Sequence, residues 1–420
     1  MNNTQAELVE RFYRYVGVPS QSQPNGGSKV PSTQGQWDFA RLLQKECIEL
    51  GLTEIDLSDK CVLTAKLPAN LPAGSTKKIP AVGFCAHLDT VDVNLSPVIH
   101  PQLVKNYDGK DLVLNQKQNI VMTTAEHKEL LDYVGQDLIV TDGTSVLGAD
   151  NKAAVTNVMT MLSTLSRDKG IYHGDIYVAF VPDEECGLFG SKNMDFSKFP
   201  VNFAYTIDCC ALGEVVYETF NAGTAVVTIH GVSAHPMSAK GVMVNPTLIA
   251  VDLINMFDRK ETPECTEGKE GYIWCQEVHS NQSTATVALV IRDHDKESYQ
   301  AREKLILANV EKIRRANPKA RIECEIFETY GNIADAVTPE NHKAIDYIYT
   351  AMEELKITPR TIAMRGGTDG SFISTKGILT PNYFTGGLNF HSRFEFLPVP
   401  SLEKSYELTL TLIQLIYNGK

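Results

Sequence analysis

Five short segments carry the residue types that bind metal ions and move protons. They are Ala86-His87-Leu88-Asp89-Thr90-Val91, Leu147-Gly148-Ala149-Asp150-Asn151-Lys152, Pro182-Asp183-Glu184-Glu185-Cys186-Gly187, Tyr205-Thr206-Ile207-Asp208 and Gly386-Gly387-Leu388-Asn389-Phe390-His391. Each ends a run that reads as β-strand. Imidazole nitrogen and carboxylate oxygen are donors that zinc accepts readily. Two ions a few ångströms apart can share a bridging carboxylate, and each then needs about two further protein ligands. The count closes with His87 and Asp208 on one ion, Glu185 and His391 on the other, and Asp150 between them. Glu184 beside Glu185 is then placed to take a proton from the attacking water. Asp89, two residues after His87, is placed to orient that ring. Taken singly, each residue has a plainer reading: a Glu pair opens many solvated helices, and Asp150 suits a helix cap. Their occurrence together, in order and at strand ends, points to a two-metal hydrolytic centre.

The surrounding elements can position such a centre. Residues 5–16, 34–50 and 151–167 have helical spacing of apolar residues. Val62–Lys66, Ile79–Ala86, Ile176–Val181 and Phe203–Ile207 read as strands, and the near-continuous apolar run of the second marks a strand covered on both faces. Alternation of this kind predicts an α/β domain with a mostly parallel sheet, and in such sheets ligands bind beyond the carboxyl ends of the strands. After about residue 221 the pattern changes. Thr224–His230, Thr286–Arg292 and Arg321–Phe327 alternate strictly, as antiparallel strands exposed on one face do. With helices at 246–259 and 296–316 and a strand near Gly271–Glu277, the order is β-α-β-β-α-β, the ferredoxin-like arrangement. The expected organisation is a catalytic domain of residues 1–221 and 333–420, with an inserted ferredoxin-like α+β lid of residues 222–332. Residues 340–356 and 401–417 read as helices of the first domain, and residues 92–146 are polar and turn-rich, with no assignable pattern.

Composition narrows the partners. The net charge of −12 opposes binding to nucleic acid or to an anionic membrane, which both need a positive field. No run of 18 apolar residues is present, so no membrane-spanning helix is expected. The N-terminus has no apolar signal region. The nine cysteines have neither CxxC spacing nor a disulfide framework, and a reducing cytoplasm suits them best.

The ordered set HLDTV, GADNKAA, PDEECG, YTID, GVSAHP, RGGTDGS and GGLNFH resembles the di-zinc aminoacylase and carboxypeptidase superfamily over nearly the whole chain. Within it, GVSAHPMSAKG at 231–241, RGGTDG at 365–370 and FTGG at 384–387 are most similar to the peptidase T, or tripeptide aminopeptidase, group. The resemblance implies two zinc ions held by His87, Asp150, Glu185, Asp208 and His391, with Glu184 as general base and Asp89 behind His87. It further implies that His235 stabilises the tetrahedral intermediate. Arg292 and Arg365 would hold the substrate's carboxylate end, and Asn245 would lie near the substrate. A cis peptide after Asp150 and a homodimer through the lid are implied as well. Cys209 and Cys210 depart from the small glycines expected after Asp208, and Phe394 stands where relatives often have a second histidine. The expected activity is removal of the N-terminal residue from tripeptides. The alternatives are a dipeptidase or N-acyl-amino-acid hydrolase of the same superfamily, and a binding protein that kept the fold without catalysis.

Overall fold

The structure is a computed structural model that describes residues 1–23 and 29–419. It divides into two compact units, Met1–Tyr217 with Val337–Ile362 and Thr368–Lys420, and Glu218–Ala336 with Ala363–Gly367.

The larger unit is organised by an eight-stranded sheet. At its centre Ile176–Val181, Val82–His87, Phe203–Cys209 and Asn382–Phe384 run parallel. Val82–His87 and Ile176–Val181 are buried at every position, as their unbroken apolar character requires. Antiparallel strands flank them: Thr53–Leu57 and Leu63–Leu67 on one side, Glu214–Glu218 on the other. The helix Ala149–Arg167 is buried along most of its length, so its hydrophobic pattern is broad rather than one-sided. The helices Asn3–Val16 and Val399–Asn418 also belong to this unit.

Residues 92–146 form short strands, Pro101–Val104, Leu112–Asn115, Ile120–Met122 and Leu138–Thr141. They enclose a satellite core of Tyr107, Leu114, Ile120, Met122, Leu130, Leu138 and Val140, joined by Phe396. The strand Phe396–Pro398 pairs with Leu138–Thr141 and so ties this segment to the chain just after His391.

The smaller unit has a four-stranded antiparallel sheet in the spatial order Tyr272–Ser280, Thr284–Asp293, Asn221–His230, Arg321–Tyr330. With the helices Pro246–Ile254 and Lys296–Ala316 this is the ferredoxin-like arrangement. Ala225, Val227 and Ile229 of one strand meet Ala285, Val287, Leu289 and Ile291 of the next in a single core. Three details differ from the sequence reading, the first being that the inserted stretch runs Glu218–Ala336 rather than 222–332. The first helix ends at Ile254 rather than 259, because Asn255 closes it; Met256 and Phe257 still pack on the core from the turn that follows. The segment Ala363–Gly367, which includes Arg365, groups with the smaller unit instead of with residues 333–420. One reason is local: the Phe220 amide bonds to the Gly366 carbonyl, and the Met364 amide to that of Glu218.

Candidate metal centre

Apart from Asp150, each acidic or imidazole side chain of the candidate centre is delivered by the carboxyl end of a central strand or by the chain that follows it. His87 is the last residue of its strand, Glu184 and Glu185 follow Ile176–Val181, and Asp208 lies near the end of Phe203–Cys209. His391 follows Asn382–Phe384 in a turn where both Asn389 and His391 have positive φ. Asp150 sits where the helix Ala149–Arg167 begins, and both Asp150 and Asn151 depart from helical dihedrals. The peptide bond between them is cis.

These groups converge. His87 Nε2 lies 2.9 Å from one Asp150 oxygen and 3.7 Å from Asp208 Oδ1. His391 Nε2 lies 3.0 Å from the other Asp150 oxygen and 3.0 Å from Glu185. Asp150 thus turns one oxygen toward each ring. The ligand atoms of His87, Asp150 and Glu185 all fall within 4.8 Å of one another.

The electrostatics follow from burial and from this crowding. Burial opposes a charge on His87, yet the carboxylates of Asp150, Asp208 and Asp89 close to the ring outweigh that and raise its pKa well above the ordinary imidazole value. Hydrogen bonds to Asp150 and Glu185 carry His391 to about 11. Burial would raise Asp150 too, but the two histidines hold it below the usual carboxylate range. Burial and the neighbouring Asp150 push Glu185 up to about 8. Asp208 rises to about 6, again chiefly through burial. The carboxylates therefore favour positive charge on both rings. Two imidazoles and three carboxylates are also the donor chemistry that a divalent ion of the zinc type accepts, so the residues present fit such ions.

Asp89 does something different from simply facing the ring. His87 Nδ1 is 3.0 Å from the Asp89 carbonyl oxygen, while the nearer carboxylate oxygen is 3.5 Å away. That carboxylate accepts the backbone amides of Glu184 (3.0 Å) and Glu185 (3.2 Å). It fixes the ring tautomer through its main chain and the Glu184-Glu185 turn through its side chain. Asp183 anchors the same turn by accepting from Gln36 Nε2 at 2.7 Å and Ser32 Oγ at 2.5 Å.

Two buried acids were not singled out in the sequence. Glu395 accepts the amides of Leu147, Gly148 and Asp150, and burial beside Asp150 pushes it up to about 7. Asp369, in RGGTDG, reaches about 7 for the same first reason, burial, with the charges of Asp208 and Asp89 adding to it. The signal for Glu395 is a lone acid in the apolar run Phe394-Glu395-Phe396-Leu397.

The remaining site residues lie in the smaller unit. Arg365 Nη1 donates to the carbonyls of Gly268 (3.1 Å) and Glu270 (2.8 Å), and Nη2 to Thr266 Oγ1 (2.7 Å). Its guanidinium also stacks on the Phe220 and Tyr272 rings. Arg292 Nη1 donates to the carbonyls of Gly223 and Ile291, and its head lies over Tyr330. Asn245 caps the helix Pro246–Ile254 by accepting the Thr247 amide at 3.0 Å. His235 is exposed, and its Nδ1 accepts the Met237 amide at 3.2 Å, which leaves the proton on Nε2.

Known proteins share this chain's sequence and its fold. The profile of Peptidase family M20/M25/M40 matches residues 148–415. A Peptidase T-like protein of Rhizobium meliloti is 50% identical, across 97% of this chain and 98% of its own. The chain belongs to peptidase family M20/M25/M40. Peptidase T of Fusobacterium nucleatum is 42% identical over 97% of both chains, which places this M20 peptidase beside the peptidase T group. Among solved structures, aminopeptidase PepT from Bacillus cereus superposes with a TM-score of 0.74 at 23% identity, covering 98% of each chain. A tripeptidase from Staphylococcus aureus superposes with a TM-score of 0.73 at 21% identity, covering 99% of each. Among the described residues no helix is long and apolar enough to cross a membrane.

Proposed function

We propose that this M20 peptidase is a two-metal aminopeptidase that releases the N-terminal residue from tripeptides. The observation that carries the reading is the single carboxylate of Asp150, which offers one oxygen toward His87 and the other toward His391. Asp208 and Glu185 then complete two ligand sets of equal size, and zinc is the ion these donors suit.

When bound, divalent metal supplies Lewis-acid activation of the scissile carbonyl and of the attacking water. The chain supplies the proton path. Glu184 takes a proton from the water as the new C–O bond forms. It passes that proton to the departing amine nitrogen as the C–N bond breaks. Its burial keeps its proton affinity well above that of an ordinary carboxyl, which suits it to hold the proton between the two steps. His235, with Nε2–H as its outward donor, supplies a hydrogen bond to the oxyanion.

Arg365 and Arg292 receive the C-terminal carboxylate, and Asn245 lies beside the substrate. Each arginine already spends Nη1 on backbone carbonyls, which fixes its guanidinium plane. Nε of both, and Nη2 of Arg292, have no hydrogen-bond partner among the described residues. Length selection then rests on pairing the C-terminal carboxylate of a tripeptide with these arginines. A dipeptide or a longer peptide leaves charge unpaired. Comparing kcat/KM for di-, tri- and tetrapeptides and N-acyl amino acids tests this. Tripeptides are expected to be fastest. Faster cleavage of dipeptides or N-acyl amino acids would move the chain to another branch of the family.

The exposed apolar residues Trp274 and Val278 on the edge strand, with Leu248 and Val251 on the helix Pro246–Ile254, support a homodimer through the smaller unit. A monomeric mass by light scattering would reject it. The nine unpaired thiols support a cytoplasmic setting.

A further inference from the structure

Glu395 is buried, and the reaction described above gives it no part. Its carboxylate is aimed at the backbone of the turn that presents Asp150. Oε2 accepts the amides of Leu147 (2.7 Å) and Gly148 (2.9 Å), and Oε1 accepts that of Asp150 (3.1 Å). Neighbouring backbone N–H groups turned to one side make an anion-binding concavity, and here the chain supplies its own anion. Gly148 permits that shape. Its φ is +75°, and a Cβ there would meet Thr90 Cγ2 at 3.0 Å.

The same carboxylate belongs to the segment that carries His391. The strand Phe396–Pro398, next after Glu395, pairs with Leu138–Thr141, which leads into the Asp150 turn. Asp150 and His391 are 241 residues apart in sequence, yet the segments bearing them are joined by one side chain. Asp89 does the equivalent for Glu184 and Glu185, with a carboxylate on their amides.

We infer that Glu395 is a positioning residue for the metal centre: it locks the Asp150 turn to the His391 segment, so that the Asp150 carboxylate is held with one oxygen toward each histidine. This rests on the reading of Asp150 and His391 as metal ligands.

Glu395→Gln tests it, because the amide keeps the shape but turns an N–H group toward the backbone donors. The readout is zinc affinity of the full-length chain, measured by competition with a chromogenic chelator. A 10- to 100-fold weaker affinity is expected, the range seen when groups that orient metal ligands are removed. The rise in Tm on adding zinc should shrink. KM for a tripeptide should hold, and kcat should recover as zinc is raised. Glu395→Asp, which keeps the charge with a shorter reach, should fall between parent and Glu395→Gln. Zinc affinity equal to the parent in the folded variants overturns the inference, even if the zinc-free Tm falls. Should Glu395→Gln fail to fold, the affinity of Glu395→Asp decides in the same way. A parent chain that binds no zinc overturns the ligand reading itself, an outcome distinct from equal affinity in parent and variants.

Discussion

Glu184 holds its proton more tightly than an ordinary carboxyl. Burial penalises its charge, and Asp208, Asp369 and Glu185 place further negative charge nearby, outweighing the attraction of His87. Such a group suits proton transfer in the transition state. Glu184→Gln is therefore expected to lower kcat by about 10²- to 10⁴-fold while metal content, measured on the same sample, stays at the parent level. Near-native turnover, or loss of metal, would remove Glu184 from this role. Glu184 was legible because it sits beside Glu185 at a strand end. The task of the Asp89 carboxylate was not. Proximity to His87 suggested the ring as its partner, but the side chain holds the amides of Glu184 and Glu185, about 95 positions further on. Glu395 escaped for the same reason. A side-chain bond to backbone more than 240 residues away leaves no local pattern.

At the scale of elements, the long periodic segments were legible because their burial is regular. Ile176–Val181 has the expected bounds, and the alternation of Asn221–His230 appears as alternating burial. Residues 92–146 were not legible. Their strands are three or four residues long, too short to show alternation, and their satellite core is completed by Phe396 from a distant part of the chain. Close packing of the central sheet gives a direct check. A Cβ on Gly83, in the strand that ends at His87, would come within 2.2 Å of Phe199 Cζ and 3.0 Å of Ala204 Cβ. Gly83→Ala is expected to destabilise the fold by about 1–3 kcal/mol, the usual range for overpacking a core. Urea unfolding measures this, and unchanged stability would mean that Phe199 has room to move.

In the proposed reading, metal chemistry and substrate selection fall to different units of the molecule. The proposed ligands and Glu184 lie in the larger unit, whereas His235, Asn245, Arg292 and Arg365 lie in the smaller one. Changes in the smaller unit should therefore alter which peptide is cut without removing metal. Arg365→Ala is expected to lower kcat/KM for tripeptides about 10- to 100-fold, the usual effect of losing a charge-assisted hydrogen bond, with a smaller effect on dipeptides. Arg365 also braces the 266–270 loop, so Arg365→Lys serves as a control that keeps the charge. An equal loss on every peptide length would assign Arg365 to loop structure alone. Asp150 would serve both ions at once, and metal analysis of the purified, active chain is the test of that role. The expected result is two equivalents per chain in the parent and loss of both in a folded Asp150→Ala variant; one equivalent in fully active parent protein would rule out the shared carboxylate.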